Sequence, residues 1–225
     1  MRWLMLNSGP GGAADNMAWD AALLEAAPLL GAPVLRFYGW TEPAATFGYF
    51  QHYADIERLT TLRPIIRRPT GGGLVPHDRD WTYSLAFPPA DPWYALKAVE
   101  SYRRVHEWVQ SAFAACRVNT ELSPGAVKDA PGQCFVGAEQ FDVLLDAKKI
   151  AGAAQRRTRD GLLIQGSIQP PTYLERARYE SELRAVAVRD WGVEWEELEA
   201  GQALLERVAV LLAGKFSRPE YNARR

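Results

Sequence analysis

Apolar residues recur at two different spacings along the chain, and the switches between them lay out its elements. In "MAWDAALLEAAPLL", Leu23 and Leu24 join Met17 on one helical face, with Asp15 and Asn16 ahead of them as N-cap residues. "PVLRFYGW" (33–40) and "AATFGYF" (44–50) have strand character and are separated by a Thr-Glu-Pro turn. "YADIERL" predicts a short helix and "PIIRR" a strand. "WTYSLAF" (81–87) sets Trp81, Tyr83, Leu85 and Phe87 on one face and Thr82, Ser84 and Ala86 on the other, the period of a half-buried strand. A long helix is predicted from about Ala95 to Cys116, with Val99, Tyr102, Val105, Val109 and Phe113 as its inward stripe. "FDVLLDAKKIAGAAQ" predicts a hairpin turning at Asp146-Ala147, and "GLLIQGSIQ" a further strand. The last 50 residues are expected to be helical. The expected class is α/β (α+β), a mixed β-sheet flanked by helices. Pro170-Pro171 is the one hint of a boundary, so the chain reads as a single domain over 1–225 with a helical C-terminal segment from about 172.

Composition narrows the chemistry. A formal net charge of −1 offers no positive field to hold phosphate backbones, which argues against nucleic acid as a partner. No run of about 18 apolar residues is present, so no membrane span is expected. The apolar run in "MRWLMLNSGPGG" is too short for a signal peptide and is followed by Asn and Gly in place of a cleavage site, so none is expected, and two cysteines make no disulfide framework. The expected setting is cytoplasmic. Eight Trp and 11% aromatic residues permit a deep apolar cavity. No Cys/His cluster has metal-ligand spacing, so no metal is expected.

Three stretches carry candidate chemistry. "IIRRPTGGGLVPHD" (65–78) puts three glycines between Arg67-Arg68 and His77-Asp78. Three glycines lose much entropy on folding, and they follow no P-loop spacing. Bare backbone beside guanidinium groups suits an activated acyl group or a phosphate. In "DAKKIAGAAQRRTRDGLLIQGSI", alternation sends one of Lys148 and Lys149 inward, while Gly152, Ala153 and Ala154 keep the strand thin enough to line a slot. "GQCFVGAEQ" sets Cys134 among loop residues, where a reactive thiol belongs, whereas Cys116 ends an apolar helical stripe and suits an inert core.

Together, "NMAWDAALL", "PVLRFYGWTEPAATFGYFQ", "RRPTGGGLVPHD" and "KKIAGAAQRRTRDGLLIQGSI" resemble the lipoate–protein ligase / octanoyltransferase family, which shares its catalytic fold with biotin–protein ligases. The resemblance runs in order from about residue 3 to 170. It implies that the glycine loop packs on the carboxyl end of a lipoyl or octanoyl chain whose tail enters an apolar tunnel. Burying roughly six methylenes offers at most about 5 kcal/mol. It implies Lys149 as the active-site lysine, with Arg68, Thr70, Gly71, Gly72, Gly73, His77, Gly152 and Ala153 around the substrate.

Two chemistries share that scaffold. Cys134-Phe135 lies where cysteine-dependent octanoyltransferases carry Cys-Phe, "TFGYFQ" is similar to that branch, and 225 residues leave no room for an accessory ligase domain. The implied activity is octanoyl transfer from acyl carrier protein, through a Cys134 thioester, to a lysine of a lipoyl carrier domain or glycine-cleavage H protein, with no cofactor. The alternative is an ATP-dependent ligase working through lipoyl-AMP, which needs ATP and Mg. A third is an inactive scaffold of the same fold. A basic tip, Arg156, Arg157 and Arg159, is expected to dock an acidic carrier.

Overall fold

Where β-branched and aromatic residues alternate with small ones the chain forms strands, and most of them join one mixed sheet. The computed structural model describes residues 1–128 and 137–224. The strands are β1 (Arg2–Gly11), β2 (Val34–Trp40), β3 (Ala44–Phe47), β4 (Ile65–Arg67), β5 (Val75–His77), β6 (Trp81–Phe87), β7 (Glu121–Leu122), β8 (Val127–Lys128), β9 (Gly137–Ala138), β10 (Val143–Leu145), β11 (Lys148–Thr158), β12 (Gly161–Ile168) and β13 (Glu194–Glu197). The helices are α1 (Ala13–Leu30), α2 (Tyr53–Leu59), α3 (Pro92–Ala95), α4 (Ala98–Ala115), α5 (Arg176–Trp191), α6 (Gln202–Leu211) and α7 (Pro219–Asn222), with one π-helical turn at Leu212–Phe216. Among the described residues the main sheet has eight strands in the order β13-β1-β2-β6-β12-β11-β10-β7. A small sheet, β4-β3-β5, sits apart from it. The expected mixed sheet flanked by helices is present.

The two faces of the main sheet differ in chemistry. One face packs on α4 and α5 through Leu35, Phe37, Tyr83, Leu85 and Ile164. This face holds most of the tryptophans: Trp3 meets Phe87, Trp93, Trp108, Trp191 and Trp195 at ring-centroid separations of 5.5 to 6.4 Å. The aromatic richness therefore mostly fills a core. The other face meets α1 and is polar at its centre, because Asp20 of α1 is fully buried and gathers four donors. Arg36 Nη1 and Ser84 Oγ donate to Oδ1 at 2.8 and 2.6 Å; Tyr38 Oη and Gln165 Nε2 donate to Oδ2 at 3.1 and 2.6 Å. Removing one partner from a buried ion pair such as Asp20–Arg36 costs about 3–5 kcal/mol.

Several expectations change. Asn16 does not cap α1, since Gly12 precedes the helix; its buried amide ties Gly11 and Gly39 carbonyls to Arg36. The long helix breaks into α3 and α4, and Val99 faces solvent, because the inward stripe starts with Ser101 and runs through Val105, Trp108, Val109, Ala112 and Phe113. β6 is buried on both faces, being central between β2 and β12. The C-terminal segment also contributes an edge strand: the acidic β13 pairs parallel to β1.

Close backbone approach explains one glycine. A Cβ on Gly48 would stand 1.9 Å from the Gly72 carbonyl oxygen, while Gly72 itself takes φ +85°. Gly48→Ala is expected to lose about 3 kcal/mol of stability through overpacking. Urea denaturation reads this, and an unchanged midpoint would mean the two segments part easily.

Candidate active site

The hairpin of β10 and β11 turns on Asp146 and Ala147, both in the left-handed region at φ 49° and 61°. This is the predicted turn, and it matches the twist of the flanking strands. Just beyond it the register slips: Leu144 pairs with Lys149 but Val143 pairs with Ala151, leaving Ile150 as an extra residue. Such a bulge re-aims a side chain. Lys149 consequently leans over Gly152, where a Cβ would fall 2.6 Å from the Lys149 Cε and 2.8 Å from its Nζ. Lys148 is exposed, and Lys149 is buried to 7% side-chain exposure. The sequence expectation of one lysine inward is met, but the bulge sets its direction, beyond what simple alternation provides.

Lys149 is held by a carboxylate that the sequence did not single out. Its Nζ lies 2.8 Å from Asp142 Oδ2. Asp142 is fully buried and also accepts from Tyr102 Oη at 2.5 Å and the Glu139 N–H at 2.6 Å. Beside Tyr102 stands His106, whose ring packs on it at 4.2 Å and whose Nδ1 lies 3.0 Å from the Tyr102 carbonyl. Burial pushes His106 down to about 4, Lys149 adding to that push against Asp142, so it is neutral near pH 7 and a poor base. Its Nε2 is buried without a hydrogen-bond partner.

The glycine segment lies across the sheet from this lysine. Thr70 is buried and its hydroxyl donates to Gln165 Oε1 at 2.6 Å; Gln165 in turn reaches Asp20. Arg68 does not simply offer its charge to a ligand. Its N–H groups turn onto the carbonyls of Thr46 (3.2 Å), Gly71 (2.6 Å) and Gly73 (2.7 Å), which folds the loop around the guanidinium. Arg67 is wholly buried and bonds the carbonyls of Tyr49, Gln51 and Asn222, tying the loop to the C-terminal segment. His77 stacks on Trp40 at 3.8 Å and is fixed at both nitrogens, by Thr46 Oγ1 and Asp80 Oδ2, each at 2.8 Å.

Between the small and main sheets runs a narrow slot. It brings together Arg68 and His77 from the first with Lys149, Gly152, Ala153 and Gln165 from the second. Thr70, Gly71, Gly72 and Gly73 do not line it; Thr70 bonds the lining residue Gln165, and Gly71 and Gly73 bond Arg68. One row of paired residues crosses its floor: Tyr38 opposes Thr82, Thr82 opposes Ser167, and Ser167 opposes Gly152. Three strand spacings make that row about 14 Å long. Lys149 stands at one end and Tyr38, with His77, at the other. A wider polar cleft beyond Tyr38 and His77 lacks Lys149 and Gly152 in its lining, so the slot is the candidate site. Cys134 lies outside the described residues. Cys116 is buried in the core cluster, and burial pushes its thiol up, as expected of an inert cysteine.

The basic tip is also redistributed. Arg156 and Arg157 belong to β11. Arg157 turns inward onto the Leu96 carbonyl (2.7 Å) and Ser101 Oγ (2.9 Å), where it pins α3 and α4; only Arg159 is open to solvent, beside Asp160. The three do not form one docking patch.

Comparison with known proteins agrees with this architecture. The domain described as "Lipoyl protein ligase A/B catalytic domain" matches residues 12–178. Proteins named octanoyltransferase LipM are similar: that of Kyrpidia tusciae is 35% identical over 178 residues, covering 74% of this chain and 65% of the relative, and that of Bacillus subtilis is 31% identical over 183 residues, covering 74% and 64%. The match thus spans just under two thirds of the relatives' own length. In fold, the T. acidophilum protein Ta0514 solved with bound lipoic acid superposes with TM-score 0.80 at 20% identity, covering 100% of this chain and 99% of that one. A lipoate-protein ligase A bound with ATP gives TM-score 0.78 at 20% identity, with 99% and 98% covered.

Proposed function

Because the chain belongs to the lipoyl protein ligase A/B catalytic-domain family, we propose that it transfers an octanoyl group from acyl carrier protein to a lysine of a lipoyl carrier domain or H protein, through a thioester on Cys134. The observation that carries the reading is the slot with Lys149 buried at one end. An extended octanoyl chain has seven C–C bonds of about 1.5 Å and spans about 9–10 Å, which fits the row from Gly152 to Tyr38 once the end side chains take their share. Tyr38 and His77 stand where the far end of a chain of that length would come.

Each residue has a role under this reading. The Lys149 ammonium, oriented by Asp142, stabilises oxygen anion developing at the acyl carbonyl. Arg68, which lines the slot, rigidifies the glycine segment folded around it. Thr70 and Gln165 lock that segment to the sheet. The chain meets Asp142 at Glu139, five residues along the sequence from Cys134. Thiol attack on the carrier's thioester exchanges one thioester for another, and the acceptor lysine then forms an amide, so no nucleotide is needed. The curated relatives' name supports transfer over ligation.

The test supplies a lipoyl domain with either octanoyl-acyl carrier protein alone or octanoate with Mg-ATP. Acylation in the first mixture, without ATP, is the expected result. Acylation only in the second would replace this reading with a ligase working through an acyl adenylate.

A further inference from the structure

Arg156, set apart from its two sequence neighbours, joins cations from the other end of the chain. Its guanidinium lies 4.8 Å from the Tyr49 ring centroid, and that of Arg224 lies 4.2 Å from the same ring. Arg224 also sits 4.9 Å from the Tyr221 ring, and Lys215 Nζ is 5.1 Å from Tyr221 and 4.8 Å from Phe216. Among the described residues none of the three is ion-paired with a carboxylate; Glu25, the acid nearest in influence to Lys215, is bonded to Arg207. Burial pushes the Lys215 ammonium down and Arg156 adds to it, while the Arg224 hydrogen bond pulls the Tyr49 hydroxyl down. The Tyr49 shift reports the cations beside its ring, and the smaller push of Arg156 on Lys215 reports the same neighbourhood.

The cluster adjoins the slot. Arg156 Nη1 donates to the Pro69 carbonyl at 3.0 Å, one residue ahead of Thr70. On β11, Gly152, Ala154 and Arg156 share a face, and Ala154 lines the slot. Seven strand steps take β11 from Lys149 to Arg156, about 20 Å of backbone once the bulge is counted, and the Lys149 side chain leans over Gly152, within that interval. The arm that tethers an acyl thioester to a carrier protein runs about thirteen bonds from sulfur to phosphorus, roughly 16 Å extended. It ends in a phosphodiester.

We propose that Arg156, Lys215 and Arg224, held on the Tyr49 and Tyr221 rings, bind the phosphodiester of the acyl carrier's prosthetic arm while its thioester lies at Lys149. This rests on the transferase reading above and names the part of the donor that the enzyme grips. Guanidinium and ammonium groups without a carboxylate partner among the described residues bind a phosphate with charge-assisted bonds, and the aromatic rings fix where they point.

Calorimetry with unreactive amide analogues tests it. Octanoyl-phosphopantetheine amide, octanoyl-pantetheine amide and Mg-ATP are titrated into wild type, Lys215→Gln/Arg224→Gln and the single exposed-site variant Arg224→Gln. In wild type the phosphate should improve Kd at least tenfold, and less at high salt. The double variant should bring the ratio below twofold, and Arg224→Gln to an intermediate value, with far-UV circular dichroism unchanged. Equal wild-type affinities, or a ratio that survives in the double variant, would overturn the proposal. So would Mg-ATP binding more tightly than the phosphorylated analogue and being lost in the double variant, which would assign the site to a nucleotide. Because the analogues cannot react, this outcome is separate from whether any octanoyl thioester forms on the protein.

Discussion

Lys149→Ala is expected to lower octanoyl transfer about 10³-fold, while Lys148→Ala stays within about twofold of wild type. One preorganised donor aimed at a developing oxyanion is worth about 10²–10³ in rate, and Lys149 is buried, charged and held at 2.8 Å from Asp142. Lys148 is exposed on the far side of the bulge. The substitution also removes the cation from a buried pair, at a cost of about 3 kcal/mol, which a domain of ordinary stability survives. Asp142 keeps two donors, Tyr102 Oη and the Glu139 N–H. Thermal melting separates the two effects: a folded Lys149→Ala protein without transfer supports the role. Equal loss from Lys148→Ala would reverse the assignment of faces.

Cys134→Ser is expected to abolish the acyl-enzyme and to slow transfer by more than about 10³-fold. A thiol of pKa about 8.5 is a few per cent thiolate at neutral pH, and a neighbouring cation raises that fraction; a serine hydroxyl has no comparable ionised form. Cys116→Ser should retain full acylation, because that side chain is 4% exposed in the core and its thiol is pushed up by burial. Its cost is in stability alone, on the order of 1 kcal/mol for a buried hydroxyl.

Much of this architecture was legible in the sequence where a signal is local. The Asp146-Ala147 turn, the strand of Gly152 to Ala154 and the glycine segment all declare themselves within a dozen residues. What escaped is nonlocal. Asp20 and Asp142 look like surface acids in sequence; only folding brings Arg36, Ser84, Tyr38 and Gln165 to the first and Tyr102 to the second. The buried acid in "NMAWDAALL", Asp20, stands among apolar helical positions with no local mark of its partners. β13 was hidden by its composition, since Glu-Trp-Glu-Glu reads as a solvated run, yet at a sheet edge its charged side chains face water while its backbone pairs with β1. Arg157 shows the converse error: a guanidinium beside a turn reads as a docking charge, but it closes four hydrogen bonds onto Tyr94, Leu96, Ser101 and Gln155.

The measurement that bears most directly on the transferase reading is intact mass. Wild type, Cys134→Ser and Cys116→Ser are each mixed with octanoyl-acyl carrier protein in the absence of ATP. One octanoyl group, removable by hydroxylamine, is predicted on wild type and Cys116→Ser and absent from Cys134→Ser. A Cys134→Ser protein that still carries the group, or that turns over at the wild-type rate, would contradict the account.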